Sequence, residues 1–151
     1  IGTVTHNLAK KSRYAFGIDK SFYAIEQAKK KKTKNCDFFV ADSLSHPFGK
    51  TKFDTVVGLN LLELIEPHDL LDLLSKQTEK FLLVSDPYDY ERGKKSVKER
   101  WDEKMLRKQI TMKGFTISSK TKKPSYLDWN LTVNPRLRLK YKVDVILAKK
   151  R

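Results

Sequence analysis

The sequence has almost no cysteine. Cys36 is the single one, so an internal disulfide and a cysteine zinc cluster are both excluded. Its expected role is that of a small buried apolar side chain. Glycine is sparse as well, at 6 of 151 residues. None stands in the spacing of a phosphate-cradling P-loop. No Ser-His-Asp spacing and no metal-ligand cluster is visible, so no metal is expected. No apolar run approaches the ~20 residues of a membrane span, and no membrane partner is expected. No secretory signal is visible, which gives a cytoplasmic expectation. Repeats, low-complexity tracts and linkers are also missing. A chain of 151 residues is long enough for one domain with a real core but not for two large ones. A single domain over residues 1–151 is expected.

What the sequence does have is positive charge. Lys and Arg number 32 against 18 Asp and Glu, for a net charge of +14. Such an excess attracts anionic substrates and polyanions, nucleic acid among them. The lysines gather at Lys29–Lys32, Lys94-Lys95, Lys120–Lys123 and Lys149–Arg151. These read as turns and ends, where solvated charge is usual. A charged surface of the thermophile kind is the plainer explanation.

Between the basic stretches, apolar runs alternate with amphipathic ones. Asn7–Lys11 reads as a helix and Tyr14–Asp19 as a strand. Ser21–Lys31 reads as a helix with Phe22, Ile25 and Ala28 on one face. Cys36–Val40 and Phe53–Gly58 read as buried strands. The turn Ser43–Lys52, with its Pro47-Phe48 pair, separates them. Pro67 opens a helix to Thr78 whose stripe is Leu70, Leu71, Leu73 and Leu74. Phe81–Ser85 reads as a buried parallel strand. A helix over Val97–Lys113, carrying Trp101, is expected to stop at Gly114. Phe115–Ser118 reads as a strand. Leu137–Val143 alternates apolar and basic residues and runs on to Ala148 as a closing antiparallel hairpin. The fold class is α/β, with a mostly parallel sheet, a C-terminal antiparallel hairpin and helices on both faces.

In an open α/β sheet, ligands bind outside the carboxyl ends of the strands. Asp19, Asp42 and Asn60 each follow a strand and are expected on that rim. The pattern Asp42-x-Leu44-x-x-Pro47-Phe48, then Phe53-Asp54-x-Val56-Val57-Gly58-x-Asn60-x-Leu62-Glu63-x-Ile65, resembles the middle of a class I S-adenosylmethionine-dependent methyltransferase. This is a Rossmann-like transferase family. The resemblance implies S-adenosylmethionine as cofactor. It gives Asp19 the ribose hydroxyls, with Lys20 beside it, and Asp42 and Ser43 the adenine. Leu59 and Asn60 then lie near the methionine end. Gly2 looks like the last glycine of the family's D-x-G-x-G-x-G loop. The first strand and the other glycines of that loop are absent from the sequence, so the domain is expected to be N-terminally incomplete. Asp19 has a plainer role too, as a cap on the following helix.

Acceptor-side candidates come from a second strand tip. Asp86-Pro87-Tyr88-Asp89-Tyr90 sets two acids and two aromatics there, and Tyr88 and Tyr90 suit a flat or cationic acceptor. Asp86, Tyr88, Tyr90, Trp101 and Trp129 are therefore the candidates. A P-Y-x-aromatic loop with a later Trp weakly resembles small-molecule or histidine-type N-methyltransferases. His68, in the first turn of its helix, is expected to be exposed. Two other readings stay open. One is a nucleic-acid-binding or RNA-modifying member of the fold. The other is a non-catalytic methyltransferase-like module.

Overall fold

The computed structural model describes residues 2–31, 33–91 and 97–151. The expected lysine positions Lys32, Lys94 and Lys95 lie outside the described residues. Two compact units divide the chain, residues 1–49 and 50–151.

In the first unit, α1 (Thr3–Ala9) leads into β1 (Ala15–Asp19), α2 (Phe22–Lys30) and β2 (Cys36–Val40). β1 and β2 pair in parallel, Ala15 against Cys36 through Asp19 against Val40. α2 starts where Ser21 accepts a hydrogen bond from the Ala24 amide. Its buried residues are Ile25 and Ala28, which close over Phe38, with Cys36 packed against them. Burial pushes the Cys36 thiol up, as expected of a packed thiol, although the residue is only partly buried. Phe22, assigned to the same stripe by its spacing, points to solvent at 67% exposure. The i, i+3, i+6 drift around a helix carries it off the narrow buried face.

α1 packs beside α2. Its His6 is buried, with Nδ1 2.9 Å from Thr33 Oγ1 and Nε2 3.0 Å from the Ala28 carbonyl. Close approach is achieved at Gly17, where a Cβ would lie 2.7 Å from Phe38 Cδ1 and 2.9 Å from Thr5 Oγ1. Gly17→Ala should lower stability by about 1–3 kcal/mol, the usual cost of overpacking. Urea unfolding would show it as a fall in midpoint with unchanged slope.

In the second unit, β3 (Phe53–Leu59), α3 (Pro67–Gln77) and β4 (Thr78–Asp86) form a right-sized crossover, β3 and β4 running parallel. Then come α4 (Glu103–Met112), β5 (Phe115–Ile117), β6 (Leu127–Asn134) and β7 (Leu137–Lys150). The strand order is β3-β4-β7-β5, with β6 on β7. β7 is antiparallel to each of its partners. One core joins Leu70, Leu71 and Leu74 of α3 with Leu106 and Ile110 of α4, over Leu82, Val84, Ile146 and Phe115. Leu73 is only partly buried.

Two expectations need correction. β2 and β3 are not buried throughout: Phe39 and Val40 are exposed, and in β3 only Gly58 is buried. Apolar runs reveal strand propensity but not what covers each face. The fourth helix begins at Glu103, not Val97, so Trp101 precedes it. The Lys98 and Glu99 amides donate to the Glu66 carboxylate at 3.0 and 3.1 Å, and the Trp101 amide donates to Tyr90 Oη. With those amides held by side chains, the chain stays extended until Asp102 caps α4 through the Met105 amide. Gly114, at φ 87°, does follow the helix end as expected.

Candidate cofactor and acceptor residues

The first unit carries five of the expected cofactor residues. Asp19 ends β1, and its Oδ1 accepts the Ser21 amide at 2.8 Å. Among the described residues its Oδ2 has no partner. Asp42 follows β2. Its Oδ1 accepts the Leu44 amide at 2.9 Å, and its Oδ2 lies 2.8 Å from Lys20 Nζ. The Lys20 and Leu44 hydrogen bonds hold the Asp42 carboxyl below the usual carboxylate range. Lys20 and Asp42 are thus brought together, and Ser43 stands in the turn between Asp42 and Leu44.

Gly2 has φ +69°, the left-handed region, and caps α1. A Cβ there would fall 2.7 Å from Ala28 Cβ and 3.2 Å from the Phe38 ring. Packing by itself therefore requires glycine at this position.

These donors and acceptors suit a nucleoside. A carboxylate with one unengaged oxygen can take ribose hydroxyls. The Asp42 carboxylate can take an amine only if Lys20 gives way. Both partners of that pair are substantially exposed, at 65% and 42% of the side chain, so little holds them together.

The second unit carries the remaining residues. Leu59 ends β3 and Asn60 follows, with its amide donating to the Ser85 carbonyl at 2.7 Å. Asn60 has φ 56° and Tyr88 has φ 54°, so two adjoining strand tips both turn through the left-handed region. Such strain persists only where surrounding bonds fix it. Asp86 supplies them. Its Oδ2 accepts the Leu62 amide at 3.0 Å and its Oδ1 the Tyr88 amide at 2.8 Å, so one carboxyl clasps both tips. Asp86 and Glu63 are both fully buried. Burial, and then the charge of Glu63 beside it, push the Asp86 carboxyl up to about 7.

Next to this pair lies a bonded network that sequence reasoning missed. Asp144 is the β7 partner of Asp86, and it is buried. Its Oδ1 accepts from Arg107 Nη2 at 2.9 Å and from the Ser125 amide at 3.0 Å, and its Oδ2 accepts the Tyr88 hydroxyl at 3.0 Å. Burial alone would raise the Asp144 carboxyl, but the Arg107 hydrogen bonds overcome it and hold the group low. Arg107 also donates Nε to the Lys122 carbonyl, Nη1 to that of Glu103 and Nη2 to that of Thr121. With Asp144 taking one hydrogen from each Nη, all five guanidinium donors are used. The Tyr88 hydroxyl is pushed strongly up, first by burial and then by Asp144. A signal was present: in Asp144-x-Ile146-x-Ala148 the acid occupies the register of the core residues.

Tyr90 and Trp101 are buried and clasped, the Tyr90 hydroxyl donating to the Trp101 carbonyl at 2.8 Å and accepting its amide at 2.8 Å. Burial pushes Tyr90 up to about 12. The structure therefore gathers Asp86, Tyr88, Tyr90 and Trp101 around one strand tip. Trp129 stands on the β6–β7 ribbon instead, its ring 5.2 Å from that of Tyr141. His68 is half exposed, with Nε2 3.2 Å from Glu99.

Solved structures similar to this chain include methyltransferases. Magnesium protoporphyrin IX methyltransferase from Synechocystis PCC 6803, with bound S-adenosylhomocysteine, has 16% identity and a TM-score of 0.69 over 99% of this chain and 69% of its own. The N-methyltransferase NodS from Bradyrhizobium japonicum has 15% identity and a TM-score of 0.68, over 99% and 80%. A Methanosarcina mazei S-adenosylmethionine-dependent methyltransferase has 20% identity and a TM-score of 0.62, over 95% and 85%. No curated protein matches. A family model described as a methyltransferase domain matches residues 1–79, more than half of the 151. The chain belongs to this methyltransferase-domain family, whose cofactor is S-adenosylmethionine.

Proposed function

We propose that residues 1–151 act as one methyltransferase domain that transfers a methyl group to a nitrogen of a small molecule or of a histidine-like group. The family match runs across the boundary at Gly49 between the two units, which supports a single domain. Bound S-adenosylmethionine supplies a methyl group on a sulfonium, and displacement there is in line. Alignment of the acceptor is therefore the protein's main task. Asp19 would hold the ribose, Asp42 and Ser43 the adenine, and Leu59 and Asn60 the methionine end, with Gly2 as the last glycine of the family's loop. Asp86, Tyr88, Tyr90 and Trp101 would form the acceptor wall, while Trp129 stands apart from it on the β6–β7 ribbon. A nitrogen acceptor suits this wall because the attacking nitrogen gives its lone pair to the methyl group and gains positive charge, which tyrosine faces favour.

The observation that carries the cofactor assignment is Asp19, a strand-tip carboxylate with one oxygen uncommitted among the described residues. Calorimetric titration with S-adenosylhomocysteine tests it. The parent chain is expected to bind, and Asp19→Ala to bind about tenfold or more weakly, through loss of charge-assisted hydrogen bonds. Asp42→Ala should weaken binding less, because Lys20 already engages that carboxylate. A folded parent that does not bind, or an Asp19→Ala variant that binds like the parent, overturns the assignment. A nitrogen acceptor is tested separately, by single-turnover methylation of imidazole-containing peptides and small amines.

A further inference from the structure

The β6–β7 ribbon extends beyond the sheet. β6 pairs with Leu137–Val143, while β4 and β5 meet β7 only from Asp144 onward. Among the described residues neither edge of this ribbon has another strand beside it. Strand alternation divides it into two unlike faces. One carries Leu127, Trp129 and Leu131 with Leu137, Leu139 and Tyr141. The other carries Asn130, Thr132, Arg138, Lys140 and Lys142, with Asp128 as its acid. Lys140 and Lys142 both reach Asp128. The apolar face is open, with Leu127 at 56% exposure, Leu131 at 40% and Leu137 at 44%.

A free two-stranded ribbon is marginal in water, and a contiguous exposed apolar face marks a docking surface. Three occupants compete. Nucleic acid would satisfy the basic face and leave the leucines wet. A second copy would cover the leucines but bring together two chains of net charge +14. An anionic bilayer surface satisfies both faces. The apolar face enters the headgroup–acyl boundary, and Trp129 and Tyr141 sit at the depth such amphipathic rings prefer. Arg138 would bend past an open edge to reach lipid phosphates, and Lys140 and Lys142 would exchange their exposed pairs with Asp128 for the same partners.

We propose that the β6–β7 ribbon is a membrane-surface anchor that docks the protein flat on an anionic bilayer. No helix among the described residues is long and apolar enough to cross a membrane. The expectation of no membrane partner rested on the lack of a span and does not reach surface binding. With about 3.4 Å per residue, β6 lays down roughly 27 Å of contact, enough for shallow, reversible adsorption.

The test is vesicle flotation at moderate salt, with phosphatidylcholine alone and with one third phosphatidylserine. The parent should bind the anionic vesicles at least about tenfold more tightly than the neutral ones. Its tryptophan emission should shift to the blue, and Trp129→Phe should abolish the shift. The cross-strand pair Leu131→Asp with Leu139→Asp should weaken binding about tenfold or more, with an unchanged thermal midpoint. Should that variant misfold, the Trp129 emission still decides. Failure to bind anionic vesicles overturns the proposal. So does binding that survives both aspartates, which would be charge alone. Ribbon-dependent binding to a duplex or to RNA without vesicle binding, or a stable dimer lost with the same pair, would also replace it.

Discussion

Asp144→Ala is expected to lower stability by about 3–5 kcal/mol, the cost of stranding one member of a buried ion pair. Arg107 keeps its three carbonyl contacts but loses its counter-charge, with only 12% of its side chain open to solvent. The Tyr88 hydroxyl and the Ser125 amide lose their acceptor at the same time. A loss of this size is a large fraction of a domain's net stability. Urea unfolding would show it directly. Arg107→Ala should cost about as much, since it strands the opposite charge. The double variant Arg107→Met with Asp144→Leu should recover most of the loss, because apolar replacements of a whole buried pair are often neutral. If the double variant were as unstable as either single one, the network would matter through its hydrogen bonds to Tyr88 and Ser125 and not through its charge.

The buried acids at the neighbouring tip predict an unusual pH dependence. An unfolded aspartate titrates near 3.9, whereas burial and Glu63 push Asp86 up to about 7. The folded state therefore binds the proton more tightly than the unfolded state. Stability from this site is fully present below about pH 4, falls between pH 4 and 7, and is lowest above 7. The full excursion is on the order of 4 kcal/mol, at 1.36 kcal/mol per unit. The groups facing Asp86 are Glu63 after β3, Tyr88 and Tyr90 after β4, and Asp144 on β7 with Arg107 from α4. Asp144 works in the other direction: its folded carboxyl is held low, so its contribution is lost only as the solution becomes acidic. Glu63→Gln removes the charge beside Asp86 and should flatten the decline between pH 4 and 7. Chemical unfolding at several pH values would check this. A parent whose stability rises steadily from pH 5 to 8 would refute it.

Strand tips were legible in the sequence because short apolar runs ending in Asp19, Asp42 and Asn60 are local patterns. The polar network behind the acceptor loop was not. Arg107 and Asp144 lie on different elements and meet only when α4 packs against β7. Nothing in either neighbourhood names the other. The missed start of α4 has a different origin: Val97–Arg100 has ordinary helix formers, but Glu66 captures their amides from a distance in sequence. Strand burial was over-read for a third reason. A run such as Phe38-Phe39-Val40 records propensity, while cover depends on elements elsewhere, and only Phe38 is enclosed.

β7 is paired with β4, β5 and β6 at once. That position carries a consequence for synthesis. Ribosomes deliver β3, β4 and β5 well before the strand that unites them, so the second unit cannot acquire its complete sheet while those segments emerge. The β4 edge, with Leu82 and Val84 beside it, waits unpaired until Val143–Lys150 arrives. The first unit has no such wait among the described residues, since β1 and β2 pair with each other across the intervening α2, with α1 packed against them. Nascent chains should therefore show early order over residues 1–49 and late, abrupt closure of the rest, with an interval in which a chaperone has most to protect.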